Sequence, residues 1–224
     1  MMEVFGFDLG PIIPFILIGF AAQMVDGALG MAFGVITNTL MVGLLGVPPA
    51  LASQRVHLVE CFTTATSGIS HLLHGNIDKG LFFRLLVPGV IGGLLGTYLI
   101  TSIDGDTIKP FVLIYLAGIG VWLLIRGLLY PPRVRQARHV APLGLVGGFL
   151  DAAGGGGWGP VVTSNLLVQG AEPRKVVGTV NSVEFFLTLT ISASFIYHLG
   201  ISHIAGATLG LIIGGIAAAP FGAM

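Results

Sequence analysis

Four acidic residues in apolar surroundings are the first candidates for chemistry in this sequence of 224 residues. Asp26 and Asp151 each stand at the start of a glycine-rich segment, and Glu60 and Glu184 each lie inside a long apolar stretch. Ionisable groups are costly in such surroundings, and in membrane proteins they mark proton relays and ion paths. The four residues are therefore candidates for proton carriers or for ligands of a cation.

A polar stripe contains Glu60. Its members follow one another at intervals of three or four residues and so share one helix face: Ser53, His57, Glu60, Thr64, Ser67, His71 and His74. Part of this stripe recurs as Asn181, Glu184, Thr188 and His198. In a membrane such a face must contact protein or water, because unsatisfied polar groups in lipid cost several kcal/mol. His57 and Asn181 either tune the glutamates for proton transfer or simply join helices, and both alternatives stay open.

Two glycine-rich segments, residues 26–34 and 151–159, are candidates for an anion site. Each predicts two short helices that are joined at a tip inside the membrane. The second helix then begins at the tip, where its N–H groups and positive dipole end favour an anion. The alternative is that the glycines only allow close helix packing. The candidate substrate-binding residues are Gly30, Gly34, Thr37, Asn38, Gly155, Gly159, Thr163, Ser164 and Asn165.

The two tip aspartates complicate a simple anion site. Asp26 and Asp151 stand where a helix N-cap is expected, and a capping carboxylate accepts the same N–H groups that an anion would use. The cap is the interpretation we favour, and a proton carrier or a cation ligand is the functional alternative. For Trp158, which follows the second glycine cluster, packing is favoured over a gating role.

The composition identifies the class of protein. Hydrophobic residues make up 54% of the chain and charged residues 9%, with a formal net charge of zero and a mean hydropathy of +0.94. Soluble domains carry about 25% charged residues. These values exclude a soluble enzyme, a disordered chain and a nucleic-acid binder with a basic patch, and they predict an all-α polytopic membrane protein. The single cysteine, Cys61, excludes a disulfide framework within the chain.

Seven apolar stretches predict the helices: residues 11–46, 50–74, 81–102, 107–130, 141–170, 175–198 and 203–224. One crossing takes about 20 residues, so the stretches 11–46 and 141–170 are too long for one straight span. Both contain a glycine-rich segment near their middle. We therefore interpret each as a helical hairpin that is broken by glycines.

The chain contains an internal repeat. Asp26, Gly30 and Gly34 match Asp151, Gly155 and Gly159 at an offset of 125, and Glu60 matches Glu184 at 124. Further along, the pair Gly92-Gly93 matches Gly214-Gly215. We expect one transmembrane domain, with repeat one at 1–130, a linker at 131–140 and repeat two at 141–224. Repeat two has no counterpart of the stretch 107–130, so we expect a missing last helix, either from truncation or because the natural protein continues.

The basic residues predict the orientation. The linker region carries Arg126, Arg133, Arg135 and Arg138, which places it in the cytoplasm by the positive-inside rule. If the stretch 141–170 returns to its own side, Arg174 and Lys175 are cytoplasmic too. The two repeats are then inverted relative to each other. Inverted repeats with broken helices are an architecture of secondary transporters.

The duplicated glycine-rich hairpins, the proline-bearing loops and the basic linker resemble the sulfite exporter TauE/SafE family. The resemblance covers nearly the whole chain. It implies a multi-pass permease of the bacterial plasma membrane that moves small sulfur-containing anions, such as sulfite or organosulfonates, by secondary transport.

Three functions compete at this point. The first is an anion permease, with export and proton coupling as expectations. The second is a cation or metal transporter that uses Asp26, Asp151, Glu60, Glu184 and His57, and the third, an intramembrane enzyme, lacks any catalytic motif. We expect no cofactor and no resident metal. The expected partners are a small anion, the lipid bilayer and, as an alternative to a monomer, a second copy of the chain.

Overall fold

The chain is almost entirely helical in its computed structural model, which describes residues 3–4, 7–8, 12–29, 32–129, 138–201 and 205–222. Two strands of two residues pair near the start, β1 (Glu3–Val4) and β2 (Phe7–Asp8). The helices are α1 (Ile13–Leu29), α2 (Phe33–Thr39), α3 (Pro49–Leu73), α4 (Lys79–Ser102), α5 (Gly105–Leu129), α6 (Val140–Gly154), α7 (Ser164–Val168), α8 (Pro173–Leu199) and α9 (Ala205–Gly222). Two π-helical turns adjoin them, Leu40–Leu44 after α2 and Trp158–Thr163 before α7.

Three of the described helices are long and apolar enough to cross a membrane: α4, the part of α5 up to Ile125, and α8. Four shorter apolar helices lie in α1, in α2 with its π-helical turn, in α6 and in α9. The expectation of an all-α membrane protein is confirmed. Helix α3 is as long as its neighbours α4 and α5, but its polar stripe makes it less apolar than either of them.

Both long apolar stretches are interrupted near their glycines. In the first, α1 ends at Leu29 and α2 begins at Phe33. In the second, α6 ends at Gly154 and the next helical turn begins at Trp158, and the backbone of Gly155 and Gly156 between them has positive φ. The backbone N–H of Arg138, just before α6, donates to the side chain of Gln169, just after α7. The second hairpin (residues 140–168) therefore returns to the side from which it starts.

Helices α3 and α8, which contain the matched glutamates, pack against each other in opposite directions. Near the start of α3, the Gln54 side chain donates to the carbonyl oxygen of Gly200, at the end of α8. Near the start of α8, Gly178 lies so close to Asn76 that a Cβ atom on it would stand 2.5 Å from the Asn76 carbonyl oxygen. Gln54 and Gly178 are 124 residues apart, and so are Asn76 and Gly200, which is the offset of the repeat.

The first helix of each hairpin packs on a long helix of the other repeat, α1 on α9 and α6 on α4. Glycines make both contacts close. A Cβ atom at Gly92 would lie 2.0 Å from the Leu145 carbonyl oxygen, and one at Gly214 would lie 2.0 Å from that of Ile16. The sequence aligns Gly92 with Gly214, so the two halves of the protein use the same packing device.

Two apolar clusters form the core, one around each hairpin. The first cluster joins α1, α2, α3 and α9, and includes the fully buried Met41 and Val56. The second joins α4, α5, α8 and the second hairpin, and includes the fully buried Trp158. The Trp158 ring lies over Gly89, and its indole N–H donates to the carbonyl oxygen of Val180 at 3.2 Å. Trp158 therefore fixes the second hairpin against its neighbours.

We expect substitution of Gly92 by valine to destabilise the protein. The new side chain would collide with the backbone of α6, which cannot move without displacing the whole hairpin. Overpacking of this kind costs about 1–3 kcal/mol. The measurement is thermal unfolding in detergent. Gly118→Val is the matched control, because a Cβ atom at Gly118 has no atom within 4 Å. Equal stability of the two variants would contradict the packing described here.

Candidate functional site

A polar cavity of about 280 Å³ lies where the two hairpins meet α3 and α8. Its size is near the lower limit of ligand pockets, which span about 300–1,000 Å³. It is lined by Phe33, Gly34, Val35, Glu60, Thr63, Thr64, Ser67, Asp151, Gly156, Gly157, Gly159, Pro160, Val177, Asn181 and Glu184. The cavity therefore combines the first turn of α2, the second tip and the polar stripes of α3 and α8.

The ionisable side chains at the cavity are all acidic. Glu60 comes from α3, Glu184 from α8 and Asp151 from the end of α6. Glu60 is only 7% exposed. Among the described residues that line the cavity, none is a lysine or an arginine. Any negative charge that enters must therefore be stabilised by backbone N–H groups, hydroxyl and amide donors, or carboxyl groups that hold a proton.

The second tip touches the first turn of α2 at glycines. A Cβ atom at Gly156 would lie 2.4 Å from both the carbonyl carbon of Gly34 and the nitrogen of Val35. A Cβ atom at Gly34 would in turn lie 2.8 Å from Oε1 of Glu60 and 2.9 Å from the Gly156 Cα. Only residues without a side chain allow this approach, and Gly156 also has a φ of +147°. The glycines therefore bring the start of α2 and the second tip into contact beside Glu60.

Asp151 makes the contacts of a helix cap at the second tip. Its Oδ1 accepts the backbone N–H of Gly157 at 2.7 Å and that of Trp158 at 3.0 Å. Those two groups lie at the start of the second half-helix, where N–H groups have no partner within the helix. The carboxylate of Asp151 thus accepts the same N–H groups that an anion at this tip would use. The N-cap of α2, by contrast, is Ala32, whose side chain forms no cap.

His57 is fully buried and bonds to Asp151 rather than to a glutamate. Its Nε2 lies 3.1 Å from Oδ2 of Asp151. Its Nδ1 lies 2.7 Å from the carbonyl oxygen of Ser53, one turn earlier in α3. Two further contacts hold the end of α6: the Ser53 hydroxyl donates to the Ala152 carbonyl oxygen at 2.7 Å, and the Asn38 amide donates to that of Gly154.

The structure brings six of the candidate residues to the cavity: Gly34, Gly159, Glu60, Asp151, Asn181 and Glu184. A second group does not line the cavity and is buried, except for the half-buried Asn165: Thr37, Asn38, His57, Gly155, Thr163, Ser164 and Asn165. Gly30 lies outside the described residues, and Asp26 belongs to α1 with a side chain outside the described part. Their roles as binding or coupling residues stay predictions.

Several cavity residues were not identified from the sequence. Thr63 lies next to the polar stripe, and Gly156 and Gly157 belong to the run of four glycines at 154–157. That run was the available signal for the two glycines, because a tip needs more than one residue without a side chain. Val35, Val177 and Pro160 carry no chemical signal at all.

Within the described part of the chain, no three His, Cys, Asp or Glu side chains come together in a way that could hold a metal ion. Asp151 is already engaged by His57 and two N–H groups.

Comparison with known proteins agrees with this architecture. Residues 15–224 match the family model described as Sulfite exporter TauE/SafE. The Probable membrane transporter protein YtnM of Bacillus subtilis is 42% identical over 221 residues, which cover 95% of this chain and 73% of that protein. A Probable membrane transporter protein of Haemophilus influenzae is 24% identical over 208 residues, 88% of this chain and 81% of that protein. No solved structure matches the chain.

Proposed function

Because the chain belongs to the sulfite exporter TauE/SafE family and is thus a membrane transporter rather than an enzyme, we propose that it exports small sulfur-containing anions. The proposed substrates are sulfite or organosulfonates, and the proposed membrane is the bacterial plasma membrane. An interior-negative membrane potential drives anions outward, at about 2.3 kcal/mol per charge and 100 mV. An anion that crosses without a proton is therefore driven outward by the potential, whereas one that crosses with a proton moves down the combined gradients of anion and proton.

One observation carries this proposal: a single small cavity contains the first turn of α2, the glycines of the second tip and two glutamates. The start of a helix presents N–H groups and a positive dipole end, which stabilise an anion without a basic side chain. Broken helices that meet near the membrane centre bind substrates in this manner in secondary transporters.

The glutamates suit an anion only when they hold protons. In neutral form, Glu60 and Glu184 can donate hydrogen bonds to an oxyanion, as Asn181 can through its amide. In ionised form, they would repel it. We therefore propose that anion binding and protonation of these glutamates occur together, which couples transport to protons.

The inverted repeats belong to the same proposal. The antiparallel packing of α3 on α8 and the exchange of hairpins between the halves support a two-fold relation in the membrane plane. The cavity lies between residues 60–67 of α3 and 177–184 of α8, in the half nearest to Asn76. Lys175 donates to the Gly75 carbonyl oxygen on that side. By the positive-inside rule the basic linker favours a cytoplasmic position for this side, and we propose that the cavity lies in the cytoplasmic half.

The test is flux into proteoliposomes that contain the purified chain. We expect saturable flux of sulfite and methanesulfonate that increases when the compartment supplying the anion is acidified. Methanesulfonate keeps one charge over the whole range, so its pH dependence reports the protein alone. Liposomes without protein are the control for leakage.

A cation transporter is the second candidate, because three carboxyl groups line the cavity. A monovalent cation would bind between Glu60 and Glu184, and Asp151 would keep its present contacts. The same proteoliposomes decide between the two: saturable Na⁺ or K⁺ flux without anion flux would replace the anion proposal.

The proposed orientation predicts a labelling pattern. Single cysteines at exposed positions, Asp104→Cys and Arg174→Cys, are introduced together with Cys61→Ser and treated with a membrane-impermeant maleimide. We expect label on position 104 in intact cells and on position 174 only after permeabilisation. Leu85→Cys, which is fully buried, is the control that stays unlabelled. The reverse pattern would overturn the cytoplasmic placement of the linker.

A further inference from the structure

The hydrogen bonds of His57 need one proton more than a neutral imidazole and an ionised Asp151 supply. This proton is separate from those proposed for the glutamates. Nδ1 lies 2.7 Å from the carbonyl oxygen of Ser53, which only accepts, and 3.3 Å from the Ser53 hydroxyl, whose one hydrogen goes to the Ala152 carbonyl oxygen. Nδ1 therefore carries a hydrogen. In a neutral imidazole the other nitrogen, Nε2, then presents a lone pair. That lone pair would face Oδ2 of Asp151 at 3.1 Å, which is also an acceptor when ionised.

One more proton resolves this conflict. Either the imidazole is protonated at Nε2 and donates to the carboxylate, or the carboxylic acid is protonated at Oδ2 and donates to the neutral imidazole. In both forms, the pair carries no net charge. This suits its burial, since His57 is fully buried and Asp151 is 1% exposed.

We propose that His57 and Asp151 together form a proton-binding site, and that the bound proton holds the second hairpin against α3. Without this proton, the imidazole has one N–H for two acceptors, the Ser53 carbonyl oxygen at 2.7 Å and Oδ2 of Asp151 at 3.1 Å. The hydrogen stays with the shorter contact, so two acceptors face each other at Nε2 and Oδ2, and the pair separates. Asp151 then withdraws from the N–H groups of Gly157 and Trp158, which it now caps. Loss of the proton therefore loosens the tip that lines the cavity.

Other polar groups surround the pair from each packed element. Glu60 follows His57 in α3, and Glu184 of α8 lines the same cavity. From α5, the Tyr115 hydroxyl lies 3.5 Å from the Gly156 carbonyl oxygen. From α8, the Phe195 ring packs at 6.1 Å from the imidazole and contributes no charge. None of these four described residues carries a positive charge that could take the place of the proton.

Two other histidines provide matched controls. In His74 and His198, Nδ1 also lies 2.8 Å from the carbonyl oxygen of a serine four residues earlier. Both side chains are exposed, and neither forms an ion pair with a carboxylate in the described part of the chain. They share the local geometry of His57 but lack its partner.

The test uses Trp158 as a reporter and needs no substrate, so it stands apart from the anion proposal. The chain has two tryptophans, and Trp122→Phe leaves Trp158 alone. In this background we expect the Trp158 emission to shift to the red as the pH rises from 5 to 9. His57→Gln places an amide donor opposite Asp151 that does not titrate, and we expect it to abolish the shift.

We expect the control variants His74→Gln and His198→Gln to keep the shift. If His57→Gln does not fold, Asp151→Asn is the second variant, and we expect it to remove the shift. A shift that persists in both His57→Gln and Asp151→Asn, or an emission that does not change with pH in the Trp122→Phe protein, would overturn the proton site. Absence of anion flux with the shift intact would overturn only the proposed substrate.

Discussion

Alanine at position 156 is expected to abolish transport. Its Cβ atom would lie 2.4 Å from the backbone of α2, and its backbone would have to keep a φ of +147°. Overpacking and an unfavourable backbone conformation each cost about 1–3 kcal/mol, which together lower the population in which α2 contacts the second tip by about 30-fold or more. Because the first turn of α2 and the second tip both line the cavity, their separation removes the site. Flux into proteoliposomes is the measurement.

Gly46→Ala separates the two causes. Gly46 has a φ of +67°, but a Cβ atom there has no atom within 4 Å. This variant therefore bears the backbone cost without a collision, and we expect it to transport at a rate near that of the unaltered protein. Gly34→Ala makes the reciprocal collision and should lose transport as Gly156→Ala does. Normal flux in both tip variants would show that the contact between the tips is not needed.

The spans were predictable because hydropathy and helix capping are local. The stretch 50–74 became α3 at Pro49–Leu73. The stretch 81–102 became α4, which begins two residues earlier, at Lys79. The reason is Asp78, whose carboxylate accepts the N–H of Leu81 at 3.0 Å and so caps the helix before the apolar residues start.

The partner of His57 was not predictable from spacing. Three residues separate His57 from Glu60, which suggested that the two side chains tune each other. The imidazole instead reaches across to Asp151, on another helix. That contact depends on how α3 packs against α6, and the contact of the Asn38 amide with Gly154 depends on packing in the same way. Periodicity within one helix contains no information on either.

The polar residues past the tips illustrate a second limit. The first turn of α2, from Phe33 to Val35, faces the cavity, whereas Thr37 and Asn38 lie one turn further on and are fully buried elsewhere. The second half-helix starts with a π-helical turn at Trp158–Thr163, which changes the direction of every later side chain. An α-helical spacing therefore misplaces Thr163, Ser164 and Asn165.

The alignment of the two aspartates shows why a repeat is hard to align by pattern. Gly19 of the first hairpin packs on the Leu211 carbonyl, and Gly148 of the second hairpin packs on the Gly89 carbonyl. These equivalent contacts align Gly19 with Gly148, an offset of 129 residues. The sequence offset that joins Asp26 to Asp151 is 125. Four residues are about one helical turn, so both offsets keep the same helix face. At the offset of 129 given by the contacts, Asp26 corresponds to Gly155 in the second repeat.

Replacement of both cavity glutamates by glutamine is expected to abolish flux that is driven by a pH gradient. Glutamine resembles a protonated glutamate in shape and can donate a hydrogen bond, but it cannot release a proton. Glu60→Gln/Glu184→Gln should therefore still bind the anion and exchange it across the membrane. A neutral hydrogen bond contributes about 0.5–1.5 kcal/mol, so we expect exchange to stay within about tenfold of the unaltered protein.

Two assays together test this prediction, one for anion exchange and one for uptake driven by a pH gradient. Exchange of labelled methanesulfonate against unlabelled anion reports binding and the change of access, whereas uptake driven by acidification reports coupling. Glu172→Gln is the matched control, because Glu172 is exposed before α8 and does not line the cavity. Flux of the double variant that keeps its pH dependence would show that the coupling proton is not on these glutamates. Loss of both exchange and driven flux would instead give the ionised carboxylates a direct role, as ligands of a cation.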